Sequence, residues 1–123
     1  MSGDQRLFAT PAGIKLGALG QIDDGKARSF VVQMQSGRFH GFVVRRGAQA
    51  FGYVDRCPHM QLPLAKVLDD YVAPSGDLIA CSWHFALFEI DTGACVGGPC
   101  RGQRLMRWPV KVEEGQLTTG EAD

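Results

Sequence analysis

Two short stretches of this 123-residue chain bring metal-binding side chains together: Cys57-Pro58-His59 and Cys81-Ser82-Trp83-His84, with 21 residues between His59 and Cys81. Each offers one thiol and one imidazole, and both groups ligate transition metals in their deprotonated or neutral forms. Residues i and i+2 of an extended stretch point to the same side, so Cys57 and His59 reach one centre without backbone strain. Pro58 stiffens the turn between them. Each pair follows an apolar segment, 51–54 or 78–80, and so falls where a strand gives way to a loop. Two such loops on neighbouring hairpins would face one another across a metal site.

Two chemistries fit that donor set. A mononuclear zinc site also takes two thiolates and two imidazoles, so the inventory alone does not decide. The order favours a dinuclear centre. Common structural zinc sites pair Cys with Cys in one knuckle and His with His in the other, whereas each loop here gives one of each. In a 2Fe-2S cluster between the loops, both thiolates converge on one iron and both imidazoles on the other.

The elements that must position these loops are strands. Sixteen Gly in 123 residues exceed the usual share of about 7% and imply many tight turns. Segments 29–35, 38–46 and 49–56 are short, rich in Val, Phe and Tyr, and separated by Ser36-Gly37 and Gly47, which predicts an antiparallel meander. Segments 78–81, 86–90 and 110–113 and Leu117 repeat the pattern between turn clusters at 73–77, 91–93 and 113–116. Val110-Lys111-Val112-Glu113 alternates apolar with charged, the signature of a strand with one face in water. No window carries a sustained helical stripe; 62–71 comes closest and predicts at most one helical turn. One domain over residues 7–118 is expected, since a chain of this length buries about two thirds of its unfolded surface unaided.

Thirteen basic and thirteen acidic residues cancel, which argues against nucleic acid and anionic membranes as partners. No apolar stretch approaches the roughly 20 residues that span a bilayer, and the first residues lack the apolar core of a signal peptide. A cytoplasmic location is expected. In that compartment four Cys are read as metal ligands or thiols rather than structural disulfides. Cys95 and Cys100, flanking Gly97-Gly98-Pro99, are read as small, partly buried hydrophobes. His40, alone beside Phe39 and Phe42, is read as structural or surface.

At Cys57, His59, Cys81 and His84 the sequence resembles the Rieske iron-sulfur family, in particular the small ferredoxins that serve bacterial ring-hydroxylating oxygenases. The resemblance extends to Leu64, Trp83, Phe88, Thr92-Gly93, Gly98-Pro99 and Trp108-Pro109-Val110. It implies an all-β fold, a Rieske-type antiparallel β-sheet sandwich with a cluster-binding subdomain over about 57–100. It also implies a 2Fe-2S cluster held by the four ligands and covered by a proline loop at Gly98-Pro99. Gln61 and Phe85 stand where the family usually has Gly, which removes two close approaches of backbone amides to the sulfides. Respiratory members carry an extra Cys in each ligand loop; Leu62 and Trp83 occupy those positions here, which disfavours that branch.

The expected function is one-electron transfer, from a reductase to an oxygenase or similar acceptor. Replacing two thiolates by neutral imidazoles makes the cluster less negative and raises its potential, to roughly −150 to +300 mV against about −400 mV for all-Cys plant-type clusters. An oxygenase active site is not expected in this chain: mononuclear iron would need two further His and a carboxylate, and only His40 remains. The alternatives are a non-catalytic Rieske subunit of a larger oxidoreductase, or a zinc-stabilised non-redox interaction module. Two docking faces are conceivable for a redox partner: the loop residues Pro58, Met60, Gln61 and Phe85, or the basic run Arg101, Arg104, Arg107 and Lys111.

Overall fold

The run GRFHGFVVRR places Phe39, Gly41 and Val43 on one side of an extended chain and His40, Phe42 and Val44 on the other, so a strand made from it has two faces to bury. The computed structural model describes residues 6–7, 9–35, 37–56, 71–73, 76–81, 86–98 and 102–120. Ten strands lie among them: β1 (Arg6–Leu7), β2 (Lys15–Ala18), β3 (Ala27–Met34), β4 (Gly37–Arg46), β5 (Gln49–Val54), β6 (Leu78–Ala80), β7 (Leu87–Glu89), β8 (Cys95–Gly97), β9 (Val110–Glu113) and β10 (Gln116–Thr119). The described residues contain no helix beyond a 3-10 turn at Leu19–Gln21, and none long and apolar enough to cross a membrane.

The strands form three sheets. In the first, β3 runs antiparallel along one edge of β4, while β5 (antiparallel) and β1 (parallel) share its other edge. The second is β2-β10-β9 and the third β6-β7-β8, both antiparallel. The all-β, antiparallel sandwich expected from the sequence is what forms.

Both faces of β4 are covered, each by one of the smaller sheets. Phe39 and Val43 pack with Leu19, Ile22, Val54, Trp108 and Leu117. Phe42 and Val44 pack with Tyr53, Tyr71, Ile79, Cys81, Phe88 and Leu105. β5 splits the same way, Val54 joining the first cluster and Tyr53 the second. The segment after β8 follows the free edge of β5, with Val54 N donating to Met106 O and Trp108 N donating to Gly52 O, both at 2.9 Å. The ends of the chain are tied by buried Thr119, whose hydroxyl donates to Pro11 O and accepts from Ile14 N, each at 2.8 Å.

The predicted meander is present with shifted edges. Gly37 is already paired with Met34 and opens β4, where the sequence reading put it in the turn. Strands β1, β2 and β8 were not expected; they are short, and Gly17 and Gly97 hide their pattern. The helical turn expected at 62–71 lies outside the described residues except for Tyr71. Exposures along β9 alternate as predicted, and exposed Lys111 pairs with Glu113 at 3.7 Å.

Gly41 marks the tightest point of the first core. A Cβ there would lie 2.6 Å from Phe39 Cε2 and 2.7 Å from Trp108 Cε3, and the two rings pack with centroids 4.7 Å apart. Gly41→Ala should therefore destabilise the protein by about 1–3 kcal/mol in chemical denaturation. Gly20→Ala, with nothing within 4 Å of the added Cβ, should stay within about 0.5 kcal/mol of the parent.

Candidate functional site

The site is built where strands of two sheets end side by side. β5 runs out through Asp55 and Arg56, and the ladder persists one step past it, since Asp55 N donates to His40 O at 2.9 Å. Cys57 follows immediately in the chain. The other loop rises from the β6-β7 hairpin, paired Leu78 with Glu89, Ile79 with Phe88 and Ala80 with Leu87. Cys81 N donates to Ala86 O at 2.8 Å and carries that pairing one rung past the two strands.

Of the four expected ligands, Cys81 falls among the described residues; Cys57, His59 and His84 do not, nor do Pro58, Met60, Gln61, Leu62, Leu64, Trp83, Phe85, Pro99, Cys100 and Arg101. Cys81 is 1% exposed, keeps its thiol, and sits in the cluster of Tyr71, Ile79, Ala86 and Phe88. Among the described residues no three His, Cys, Asp or Glu side chains converge. A thiolate in such apolar surroundings needs a cation beside it, which a bound metal would supply, and two thiolates with two imidazoles fit mixed ligation of a 2Fe-2S centre.

Three polar side chains that sequence reasoning passed over hold this region together. Asp55 is buried, and its Oδ2 accepts from Tyr71 Oη at 2.8 Å. Tyr71 stacks on Phe42, with centroids 4.2 Å apart and planes 5° from parallel. Val72 bridges Ile79 and Ala73 N donates to Leu78 O, so residues 71–73 line the outer edge of β6. Tyr53, 1% exposed, reaches from β5 to donate to Ile90 O at the β7-β8 turn. The bend beyond uses Gly93 with φ 77°, where a Cβ would lie 2.8 Å from the Tyr53 ring. Thr92 Oγ1 donates to Glu89 Oε1 and accepts from Ala94 N across the same bend. The only available signals were an acid and an aromatic bracketing the first ligand segment, and such residues are common at strand ends.

One further reading changes here. Cys95, expected as a small, partly buried thiol, is half-buried as expected but disulfide-bonded. The basic run is partly engaged within the chain, with Arg107 Nη2 donating to Asp91 O at 3.0 Å and Lys111 paired with Glu113. His40 is half-buried on the Phe42 face of β4, in keeping with a structural role.

A model of the Rieske [2Fe-2S] domain family matches residues 14–116. The chain belongs to that family, whose cofactor is a 2Fe-2S cluster. The Rieske chain is 39% identical over 69 residues to the ferredoxin component of the p-cumate 2,3-dioxygenase system of Pseudomonas putida, covering 54% of this chain. That match spans about half the length of the curated relative, 52%. It superposes on a chain of a solved complex of reduced oxygenase and oxidized ferredoxin in carbazole 1,9a-dioxygenase with a TM-score of 0.67 and 27% identity, over 86% of this chain and 90% of that one. The ferredoxin of carbazole 1,9a-dioxygenase from Nocardioides aromaticivorans IC177 shares the fold at a TM-score of 0.69 and 19% identity, over 91% of this chain and 100% of that one.

Tyr53 joins the main sheet of this Rieske domain to its small sheet, and it titrates late. Burial pushes its phenol from 10.0 up to about 12, opposed by the nearby Arg107 guanidinium. The folded state prefers the neutral phenol, so this stabilisation is complete below pH 10 and is lost as pH rises from there through about 12. Urea denaturation of the parent should show a steep loss of stability across that window. Tyr53→Phe should lose about 1–3 kcal/mol at neutral pH, because Ile90 O loses its donor, and should decline less steeply above pH 10.

Proposed function

We propose that the chain is a one-electron carrier, a single unit over residues 7–118 that holds its 2Fe-2S cluster through Cys57 and Cys81 on one iron and His59 and His84 on the other. The observation that carries this reading is the place of Cys81, a buried thiol on the last described rung of a hairpin, with His84 three residues on in the sequence. When bound, the cluster supplies a one-electron couple. The chain's own work is to hold it. Strand pairing fixes the Cys81 backbone on one side, and the Asp55 amide fixes the approach to Cys57 on the other. The cluster-binding subdomain is taken as about 57–100.

The proposed partners are a reductase as donor and an oxygenase or similar acceptor, supported by the p-cumate system ferredoxin and by the oxygenase-ferredoxin complex among the structures it resembles. The chain is given no catalytic site of its own; its place is that of a component of such a system, in the cytoplasm. Docking is assigned to Pro58, Met60, Gln61 and Phe85, which neighbour the proposed ligands in the sequence, rather than to the basic run. A small interface of modest polarity suits a complex that must release after each turnover.

Purified protein should contain about two iron and two acid-labile sulfide per chain and give the reduced-state EPR signal of a mixed-ligand cluster. One zinc and no sulfide would overturn the reading in favour of an interaction module. Cys57→Ser and Cys81→Ser should abolish cluster assembly, whereas Cys95→Ser, outside the donor set, should keep it. Phe85→Glu should slow reduction of the acceptor in stopped-flow with the visible spectrum unchanged. If charge reversal at Arg104 stopped transfer while Phe85→Glu did not, docking would belong to the basic run.

A further inference from the structure

Tyr71 stands at the foot of both ligand loops. Its hydroxyl donates to Asp55 Oδ2 at 2.8 Å, across 16 residues of sequence, and so ties together the two ends of the segment that carries Cys57 and His59. Its carbonyl accepts from Ala80 N at 2.8 Å, one residue before Cys81. Its ring, stacked on Phe42, belongs to the apolar cluster that contains Cys81. One residue thus touches the approach to each cysteine ligand, by its side chain on one side and by its backbone on the other.

Packing alone does not require this arrangement. A Phe at position 71 would keep the stack and the carbonyl bond, and an apolar residue at position 55 would avoid burying a carboxyl group. With Tyr71 3% exposed and Asp55 8% exposed, the pair carries a desolvation cost that an apolar contact would not. What the polar pair adds is direction: a hydrogen bond fixes a distance and an angle, whereas apolar contact tolerates sliding. The dimension it fixes here is the separation of the two ligand-bearing segments.

We propose that Tyr71 and Asp55 form a positioning clamp that sets the approach of the Cys57 loop to the Cys81 loop, and with it the geometry of the iron that the two thiolates share. The clamp acts through the ligands and touches no metal. It rests on the ligand set proposed above. Groups that hydrogen-bond a metal's own ligands are worth about 10- to 100-fold in metal affinity or activity, and a clamp one step farther from the metal acts at the low end of that range.

The test uses the full, cluster-loaded chain and two readouts: the g-values of the reduced-state EPR signal, and the rate of bleaching by an iron chelator. Tyr71→Phe and Asp55→Ala should each shift the g-values and speed bleaching about tenfold or more. In the double variant the two effects should be clearly less than additive, because each single variant already removes the bond between the two residues. Asp55→Asn keeps an acceptor for the Tyr71 hydroxyl and should restore near-parental bleaching. Phe42→Leu, which loosens the stack but leaves the hydroxyl bond, should lower the melting temperature with g-values unchanged.

A Tyr71→Phe protein with parental g-values and bleaching rate overturns the clamp, whatever its melting temperature. Equal g-value shifts from Phe42→Leu overturn it too, since packing would then explain the effect. If Asp55→Ala fails to fold, Tyr71→Phe against the parent decides alone. Failure of the underlying reading looks different: the parent itself would lack iron and sulfide, whereas failure of the clamp leaves a fully loaded parent and an unaffected variant.

Discussion

A strand with large apolar side chains on both faces is stable only when something covers each face, and β4 sets that demand for the whole molecule. Phe39 and Val43 call for one cover, Phe42 and Val44 for another, and all four are fully buried. The β2-β10-β9 sheet meets the first demand and the β6-β7-β8 sheet the second. The hairpin that carries Cys81 is therefore more than an appendage bearing a cofactor. Its Ile79 and Phe88 complete the second core, so the half that carries the proposed ligand Cys81 is held to the rest by the same burial that folds the chain.

Burial holds two sheets together without fixing their relative position, because apolar contact lacks direction. The polar contacts across this seam supply it. Tyr53 spans from β5 to the β7-β8 turn, and Asp55 and Tyr71 join the end of β5 to the edge of β6. None of these groups is left unsatisfied: among the described residues no buried side-chain nitrogen or oxygen lacks a partner. Unpaired, each would cost about 1–3 kcal/mol, so the seam is stable only in the register that pairs them all. That requirement makes a specific alignment out of a generic sandwich.

The sequence made legible the parts of this structure that depend on local pattern. The Val- and Phe-rich run at 38–46, the alternation at 110–113 and the turn at Asp91-Thr92-Gly93 are all short-range signals, and the strands lie within a residue or two of the expected segments. Strands β1, β2 and β8 were illegible because two to four residues, some of them Gly, carry too little period to be read. They exist because partners wait for them, as Leu117 does for Gly17. The Asp55–Tyr71 bond was illegible for the same reason on a larger scale, since no spacing rule relates residues 16 apart. The disulfide at Cys95 went against an argument from compartment, which speaks of averages and not of a particular pair of sulfurs.

The depth of Cys81 also bears on how an electron can enter and leave. Its thiol is packed against Tyr71, Ile79, Ala86 and Phe88, so a metal bound there has the second apolar core on its inner side. Behind that core lie β4 and then the β2-β10-β9 sheet, and a redox partner on that flank would be separated from the metal by the full thickness of the sandwich. The other flank is different: the rung from Cys81 to Ala86 is the last pairing among the described residues of this hairpin, and four residues of chain, 82–85, join its two ends. With the ligands as proposed, the short route would run on that side. Thiolates at the stems and imidazoles in the loops would put the strongly bound, negatively charged ligands inside and the neutral ones on the side where a partner must come close. With the ligands as proposed, the hairpin stems would supply strength and the segments beyond them exchange, a division that follows from where the strand pairing of the described residues stops.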